Sequence, residues 1–481
     1  MKNLLLTLSL SLAALPVHAA DDTPPPRAVA QEAPDDLPPP RTTTRKTRAV
    51  QPADVPAEVT PLAGSVDDLP LPGARSRKPV ARGFQPTLKA GVDDLLLEAG
   101  GLPDAQEADT YSTLRASAYV LWQPSRNWEF RAGARLDGML QDGGSADHDE
   151  MLADYGDTYV RYRNGDTRLT LGAQTIIWGR ADEIPLADRV SRADLTRFNL
   201  DDLGDRRRAQ LAARWEQSFG DFKLDAVWLP LFRGAQLPDV ASVWSPINRA
   251  TGQVIGIDPS LTGWVSGARI DEDEHGGGGG ALRLTKTGEP FDFGVTLART
   301  RQSLPYYRVD LPTLSLTAVH PFNTFVGADL ELERGGLTWR MEVGHTDDVP
   351  VTLPSTAMLK TRSLDWIGAL EFFPGGADTR VNLQLVAHAI QTDRDIIELK
   401  EYYGANGEVE TTFGQGRWKA GLRFATGFNV HDVYLSPRLG YVGWEPHELY
   451  VAAHYFDGEA RTLGGFHQDH SLITLGVRTR F

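Results

Sequence analysis

The sequence predicts an all-β protein, a transmembrane antiparallel β-barrel of about 16 strands (range about 14–18), with a disordered Pro-rich N-terminal segment. Three observations carry that reading. Stretches of roughly ten residues alternate strictly between apolar and polar side chains, the period of a strand with one apolar face. Tryptophans gather near the ends of those stretches, at Trp122, Trp128, Trp178, Trp228 and Trp444, as in an interfacial girdle. The closing stretch, Leu472 to Phe481, keeps Ile473, Leu475, Val477 and Phe481 on one face, and its terminal aromatic fits a signal for barrel-assembly machinery. A soluble sandwich alternates too, but its strands average about 5–6 residues, whereas tilted spanning strands need about 9–11.

The N-terminus predicts export. In residues 1–20, Lys2 supplies a charged start, Leu4 to Pro16 an apolar run, and Val17-His18-Ala19 a small-residue cleavage site. No later run approaches about 18 consecutive apolar residues. With no cysteine, disulfide staples, thiolate metal sites and a cysteine-linked lipid anchor are excluded. A net charge of −15 argues against nucleic acid as a partner.

Residues 21–82 are rich in Pro, Ala, Asp and Arg and poor in aromatics, so they predict a disordered periplasmic segment. Within it Asp35-Asp36-Leu37-Pro38 recurs as Asp67-Asp68-Leu69-Pro70. One reading is drift in a low-complexity tether; the other is a repeated motif that captures a periplasmic or inner-membrane transporter component by avidity.

Residues 83–481 then predict the barrel. Strands are read at 113–123, 127–138, 156–164, 166–178, 207–218, 220–229, 279–287, 290–300, 315–334, 335–346, 360–373, 377–391, 414–427, 431–443, 447–457 and 470–481. Short links such as Asn164-Gly165 and Gly335-Gly336 predict periplasmic turns, and long links outer loops. Simple alternation then ends the last strand outside, against expectation, which points to a missed or wrongly split strand; residues 84–98 are a candidate, with a short helix over Val92 to Glu98 as the alternative. The polar faces carry Arg115, Arg131, Arg135, Arg161, Arg163, Arg168, Arg340, Arg380, Arg423, Arg438, Arg478 and Arg480. An Arg on the lipid face costs roughly 2–4 kcal/mol at mid-bilayer, so these side chains are expected to line the lumen. Either they attract anions or they neutralise lumenal acids such as Glu129, Asp137, Asp225, Asp329, Glu331 and Glu342.

Residues 179–208 form a long loop of alternating charge, with Arg180, Asp182, Asp188, Arg189, Arg192, Asp194 and Arg197 among its ions. Long loops in compact proteins are functional or disordered. The choice lies between a solvated outer loop and one folded inward to constrict the pore. The run Trp178-Gly179-Arg180-Ala181-Asp182, the segment Ser191-Arg192-Ala193-Asp194-Leu195 and Trp228-Leu229-Pro230 together resemble a proteobacterial outer-membrane barrel family of unknown function. Its members carry a Trp-Gly-Glu-Ser-Asp-like strand end, an Asn-Pro-Arg-Asp-Leu-like segment and a Trp-x-Pro strand end. Arg180 stands where the family has an acid. The resemblance implies association with export systems of the RND transporter type.

No catalytic, cofactor or metal site is expected. The glycine run after Asp271-Glu272-Asp273-Glu274-His275 lacks a following Lys-Ser/Thr, and that acidic run reads as a solvated loop tip. His467-Gln468-Asp469-His470 reads as a polar loop, and no nucleophile elbow is present. Two functional readings remain: an outer-membrane channel for export or passive passage, or a structural or adhesive barrel with a plugged lumen.

Overall fold

The computed structural model describes residues 84–480, apart from residues 250, 258–261, 274 and 377. The predicted signal peptide, the 21–82 segment with both Asp-Asp-Leu-Pro motifs, and Phe481 lie outside the described residues.

The wall is a closed antiparallel barrel of 18 strands. In chain order these are β1 (Thr87–Gly101), β2 (Ala108–Gln123), β3 (Trp128–Gly143), β4 in two pieces (His148–Tyr155 and Thr158–Asn164), β5 (Thr167–Gln174) and β6 (Gln210–Phe219). They continue as β7 (Phe222–Leu229), β8 (Gly279–Lys286), β9 (Asp292–Arg301), β10 (Phe322–Arg334), β11 (Leu337–Thr352) and β12 (Met358–Phe372). The last six are β13 (Thr379–Gln391), β14 (Glu401–Phe413), β15 (Trp418–Gly427), β16 (Asp432–Trp444), β17 (His447–Gly458) and β18 (Leu472–Arg480). Neighbours in sequence pair throughout, and β1 closes the ring on β18 from Asp94↔Arg480 to Gly101↔Ile473.

Closure is what the solvent demands. In hydrocarbon an unpaired N–H or C=O finds no water, so a spanning sheet must have no open edge. Large apolar side chains are exposed around the outside, among them Leu97 on β1, Val326 on β10, Trp339 on β11, Leu385 on β13 and Leu475 on β18. Their sequence neighbours Glu98, Phe325, Gln384 and Thr474 are buried inside. No helix among the described residues is long and apolar enough to cross a membrane. The chain crosses with strands.

The sixteen strands read from the sequence lack two that the structure contains, β1 and β14. β14, inserted between β13 and β15, restores the alternation, and β1 precedes the first strand read, so β18 ends at the rim where β1 begins, beside the short turns. At Gly335-Gly336, φ values of +65° and +77° give the turn whose twist matches the flanking strands. Two further expectations are corrected. The stretch 315–334 is not one strand: Ser315–Val319 belongs to a three-stranded sheet of the outer loops, and the chain breaks at His320-Pro321 before β10. The acidic run is no loose tip either, because Arg269–Asp273 pairs in parallel with Ser315–Val319 in that sheet.

The assignment of faces predicts a mutational asymmetry. Val326→Arg, on the bilayer side of β10, should destabilise the barrel by roughly 2–4 kcal/mol in urea unfolding from lipid vesicles. Val326→Leu should leave the midpoint unchanged, and equal midpoints for all three proteins would reverse the assignment.

Candidate functional site: a loop clamped inside the barrel

Residues 175–209 do not continue the wall above β5 and β6; they fold into the lumen. The departure is built by short-range geometry. The Thr175 N–H donates to Asp157 Oδ1 at 2.7 Å, and the buried Trp178 indole donates to Asp225 Oδ2 at 3.1 Å. Ile176, Trp178, Ala187 and Val190 pack on small inward residues of the wall, Ala212, Ala281 and Ala298, with Val227 and Phe325. Small wall residues leave the volume that the loop fills.

Glu342 of β11 holds the first turn of this inner loop. Its carboxylate accepts the N–H groups of Ala181 at 2.8 Å, Leu186 at 2.6 Å and Ala187 at 3.4 Å, and also that of Arg180. Gly179 is required there. Its φ is +107°, and a Cβ would lie 2.5 Å from Pro185 and 2.9 Å from Glu342 Oε1. Backbone donors thus satisfy a carboxylate that is 2 % exposed.

The loop's charges then reach the wall on opposite sides. Arg180 Nε donates to Asp329 Oδ1 at 2.6 Å. Asp182 accepts from Arg380 at 3.0 Å and Arg340 at 3.4 Å, and also pairs with Asn382. Asp188 takes Ser191 and Arg207, each at 2.7 Å, within the loop. The Arg189 guanidinium lies 4.1 Å over the Phe325 ring. Arg192 donates to Asp154 at 2.8 Å and to the Gly234 carbonyl at 2.7 Å. Asp194 joins Arg135 at 2.7 Å to Arg208 at 2.9 Å, and Arg197 pairs with Asp201 and with Glu98 on β1. Burial is the largest influence on the Asp182 carboxyl and pushes it up, while Arg340 and Arg380 pull it down.

Each of the twelve arginines predicted to line the lumen meets an acid. Arg115 pairs with Asp137 at 3.1 Å and Asp201 at 2.7 Å, and Asp137 also takes Arg135 and Arg208. Arg131 meets Asp93, Arg161 and Arg163 meet Glu129, and Arg168 meets Glu216. Arg340 and Arg380 share Glu371, while Arg423 contacts Asp202 and Glu183. Arg438 meets Glu448 at 2.9 Å, and Arg478 and Arg480 converge on Asp205, each at 2.7 Å. Of the two roles considered for these arginines, the contacts are those of neutralisation.

Sequence reasoning missed several members of the site. Glu98 sits on β1, at the end of the candidate stretch 84–98, and carried no site assignment. Phe198 of the loop packs with Trp244, Phe456 and His467, the Phe198 and His467 rings 4.2 Å apart, in an aromatic cluster between the inner loop, the loop 230–278 and the turn after β17. No periodicity marks residues joined across such separations. A cavity of about 200 Å³ remains between the loop and the wall from β14 to β18 and β1, lined by Glu98, Asp202, Glu408, Arg423, Arg438 and Arg480 among others.

The clamp makes a prediction. Glu342→Ala leaves four turn N–H groups without their acceptor, and a buried polar group stripped of its partner costs about 1–3 kcal/mol. In proteoliposomes the variant should be cut by added protease within residues 179–187 while keeping the heat-resistant migration of a folded barrel. Cleavage no faster than in the unmodified protein would sink the clamp.

Comparison with known proteins gives one family. Residues 100–429 match the family described as "Protein of unknown function (DUF1302)". The sequence matches no curated protein. Among solved structures, OccAB1 of Acinetobacter baumannii is 11 % identical with a TM-score of 0.49, over 84 % of this chain and 98 % of that one. OccK5 (OpdH) of Pseudomonas aeruginosa is 10 % identical with a TM-score of 0.47, over 81 % and 97 %.

Proposed function

The chain belongs to the DUF1302 family, and from that premise we propose that it is an outer-membrane channel for the passage of solute, narrowed by residues 175–209. One observation carries the reading. A closed wall with an apolar outside encloses a lumen crossed by a loop tied to β1, β3, β10, β11, β13 and β15 through side-chain contacts. A merely structural barrel has no need of such a loop; a channel needs one to set its cross-section. Because the lumenal arginines are matched by acids, the path is charge-balanced and suits small polar or zwitterionic solutes better than a polyanion.

The finer part of the proposal concerns export. Residues 21–82 act as a periplasmic tether, and Asp35-Asp36-Leu37-Pro38 with Asp67-Asp68-Leu69-Pro70 engage an inner-membrane transporter of the RND type, as the family resemblance implies. Phe481 serves the assembly machinery. Deleting both motifs should abolish co-purification of the transporter without changing the yield of folded barrel; unchanged recovery defeats this part alone.

A plugged, structural barrel is the second reading, and the aromatic cluster around Phe198 and Trp244 favours it. Planar bilayers separate the two. The full chain should give ohmic steps, and deleting Asp182 to Asp202 should raise their conductance at least twofold, as widening a constriction requires. No steps from either protein, or equal steps from both, would overturn the constricted-channel reading.

A further inference from the structure

The barrel wall is not of even height. β5, β7 and β8 have 8 residues each, against 16 in β2, β3 and β11. β5 and β6 end together at the pair Gln174↔Gln210, because the chain that would extend them is the inner loop. The upper piece of β4, His148–Tyr155, therefore pairs with β3 on one edge, and among the described residues no strand pairs with its other edge. Beside the upper piece of β4 this leaves a free edge of roughly 26 Å, which β7, ending at Leu229, does not reach.

This free edge lies at membrane height. The upper piece of β4 is in register with Ala134 to Gln141 of β3, whose outward residues Ala134, Leu136 and Leu140 continue the apolar belt. Open edges do not survive against hydrocarbon, so something other than bare lipid must cover it. Arg233, just beyond β7, reaches the lower end of the edge, its guanidinium 3.0 Å from the inward Asp154 and 5.0 Å from the ring centre of Tyr155. Arg192 of the inner loop pairs with the same Asp154 from inside. Arg233 and Arg192 thus share one carboxylate, while Arg208, 3.6 Å from it, is already matched by Asp137 and Asp194. The latch carries a surplus positive charge. Below it the outer face of the short strands forms an apolar groove of about 500 Å³, with Leu169, Leu171, Trp215, Trp228, Leu282 and Leu297 in its lining.

We propose that this gap is a side port between the lumen and the bilayer, latched by Arg233 and Arg192 on Asp154, which passes an amphiphile with one apolar chain and an anionic head. The chain lies in the groove and the head replaces Asp154 as the partner of Arg233. The proposal rests on the channel reading for its lumen and adds to it a second exit with a substrate class of its own, distinct from the polar solutes of the charge-balanced lumen.

Because the protein contains no cysteine, single-cysteine reporters can be placed in the full chain without background. Leu152→Cys on the upper piece of β4 and Ile177→Cys at the entry of the inner loop report the gap. Val326→Cys reports the bilayer face, and Ser436→Cys the lumen far from the gap. Each is reconstituted in vesicles, checked for heat-resistant migration and exposed to a maleimide carried on a phospholipid chain. Labelling of the Leu152 and Ile177 reporters approaching that at Val326, with none at Ser436, is expected. Oleate should protect both, and Arg233→Gln should weaken that protection about tenfold, the loss of one charge-assisted contact. Gap reporters as inert as Ser436→Cys, while Val326→Cys reacts, overturn the port. So does an oligomer in which reporters at Leu171 and Trp228 are also inert, since a second copy then seals the wall. Protection by any anionic amphiphile, but equally in Arg233→Gln, shows ordinary bilayer lipid in the groove and likewise overturns it. Single-channel records of the same proteins keep the two proposals apart, since missing steps with persistent gap labelling count against the channel alone.

Discussion

Everything in this molecule follows from the requirement that backbone polar groups inside a bilayer be paired within the protein. That requirement closes β1 on β18 and fixes which side of each alternating strand meets lipid. It also decides where charge can go. Guanidinium groups excluded from the outer face are forced into a lumen of limited volume, where they cannot all remain hydrated. Acids must accompany them, and the hub at Asp137, shared by Arg115, Arg135 and Arg208, is the outcome.

Such a lumen is an unusual setting for a loop. Buried ion pairs contribute little net stability, since desolvation offsets their attraction, but removing one partner costs about 3–5 kcal/mol. The inner loop is therefore held in one place more firmly than it is held down. Its conformation is specified by partners on opposite walls, Arg380 of β13 for Asp182 and Arg135 of β3 for Asp194. Neutral contacts would tolerate sliding along the wall; matched charges at fixed heights do not. The hydrophobic seat made by Ile176 and Trp178 on Ala212, Ala281 and Ala298 supplies the apolar burial that the ion pairs lack.

How much of this was legible in the sequence depended on the range of the interaction. Alternation is local, so the all-β class, the lipid face and most strands could be read directly. β1 was read only as the candidate 84–98, because Leu95, Leu96 and Leu97 run consecutively and a register shift between Val92 and Asp94 interrupts its period. β14 escaped because the small residues Ala405 and Gly407 weaken its outward face. The inner loop was legible as a charged segment of unusual length, but its partners were not. Glu342 lies 161 residues from Ala181 in the chain, and nothing in the sequence joins them. Charge pattern told which ions needed partners, and only the closed ring told which partners stood opposite.

The gap in the wall and the loop in the lumen are one feature seen from two sides. A hairpin between β5 and β6 has residues for a wall of even height, and here those residues turn inward at Thr175 and return at Ala209. The inner loop thus leaves the upper edge of β4 without a ladder partner. In water such an edge would be solvated; in a bilayer it must be covered, and Arg233 reaches its end through the Asp154 carboxylate and the Tyr155 ring. Any displacement of the inner loop that drew Arg192 from Asp154 would leave Arg233 as the closest partner of that carboxylate. In the proposed port, constriction in the lumen and closure toward the membrane would be coupled through that single carboxylate.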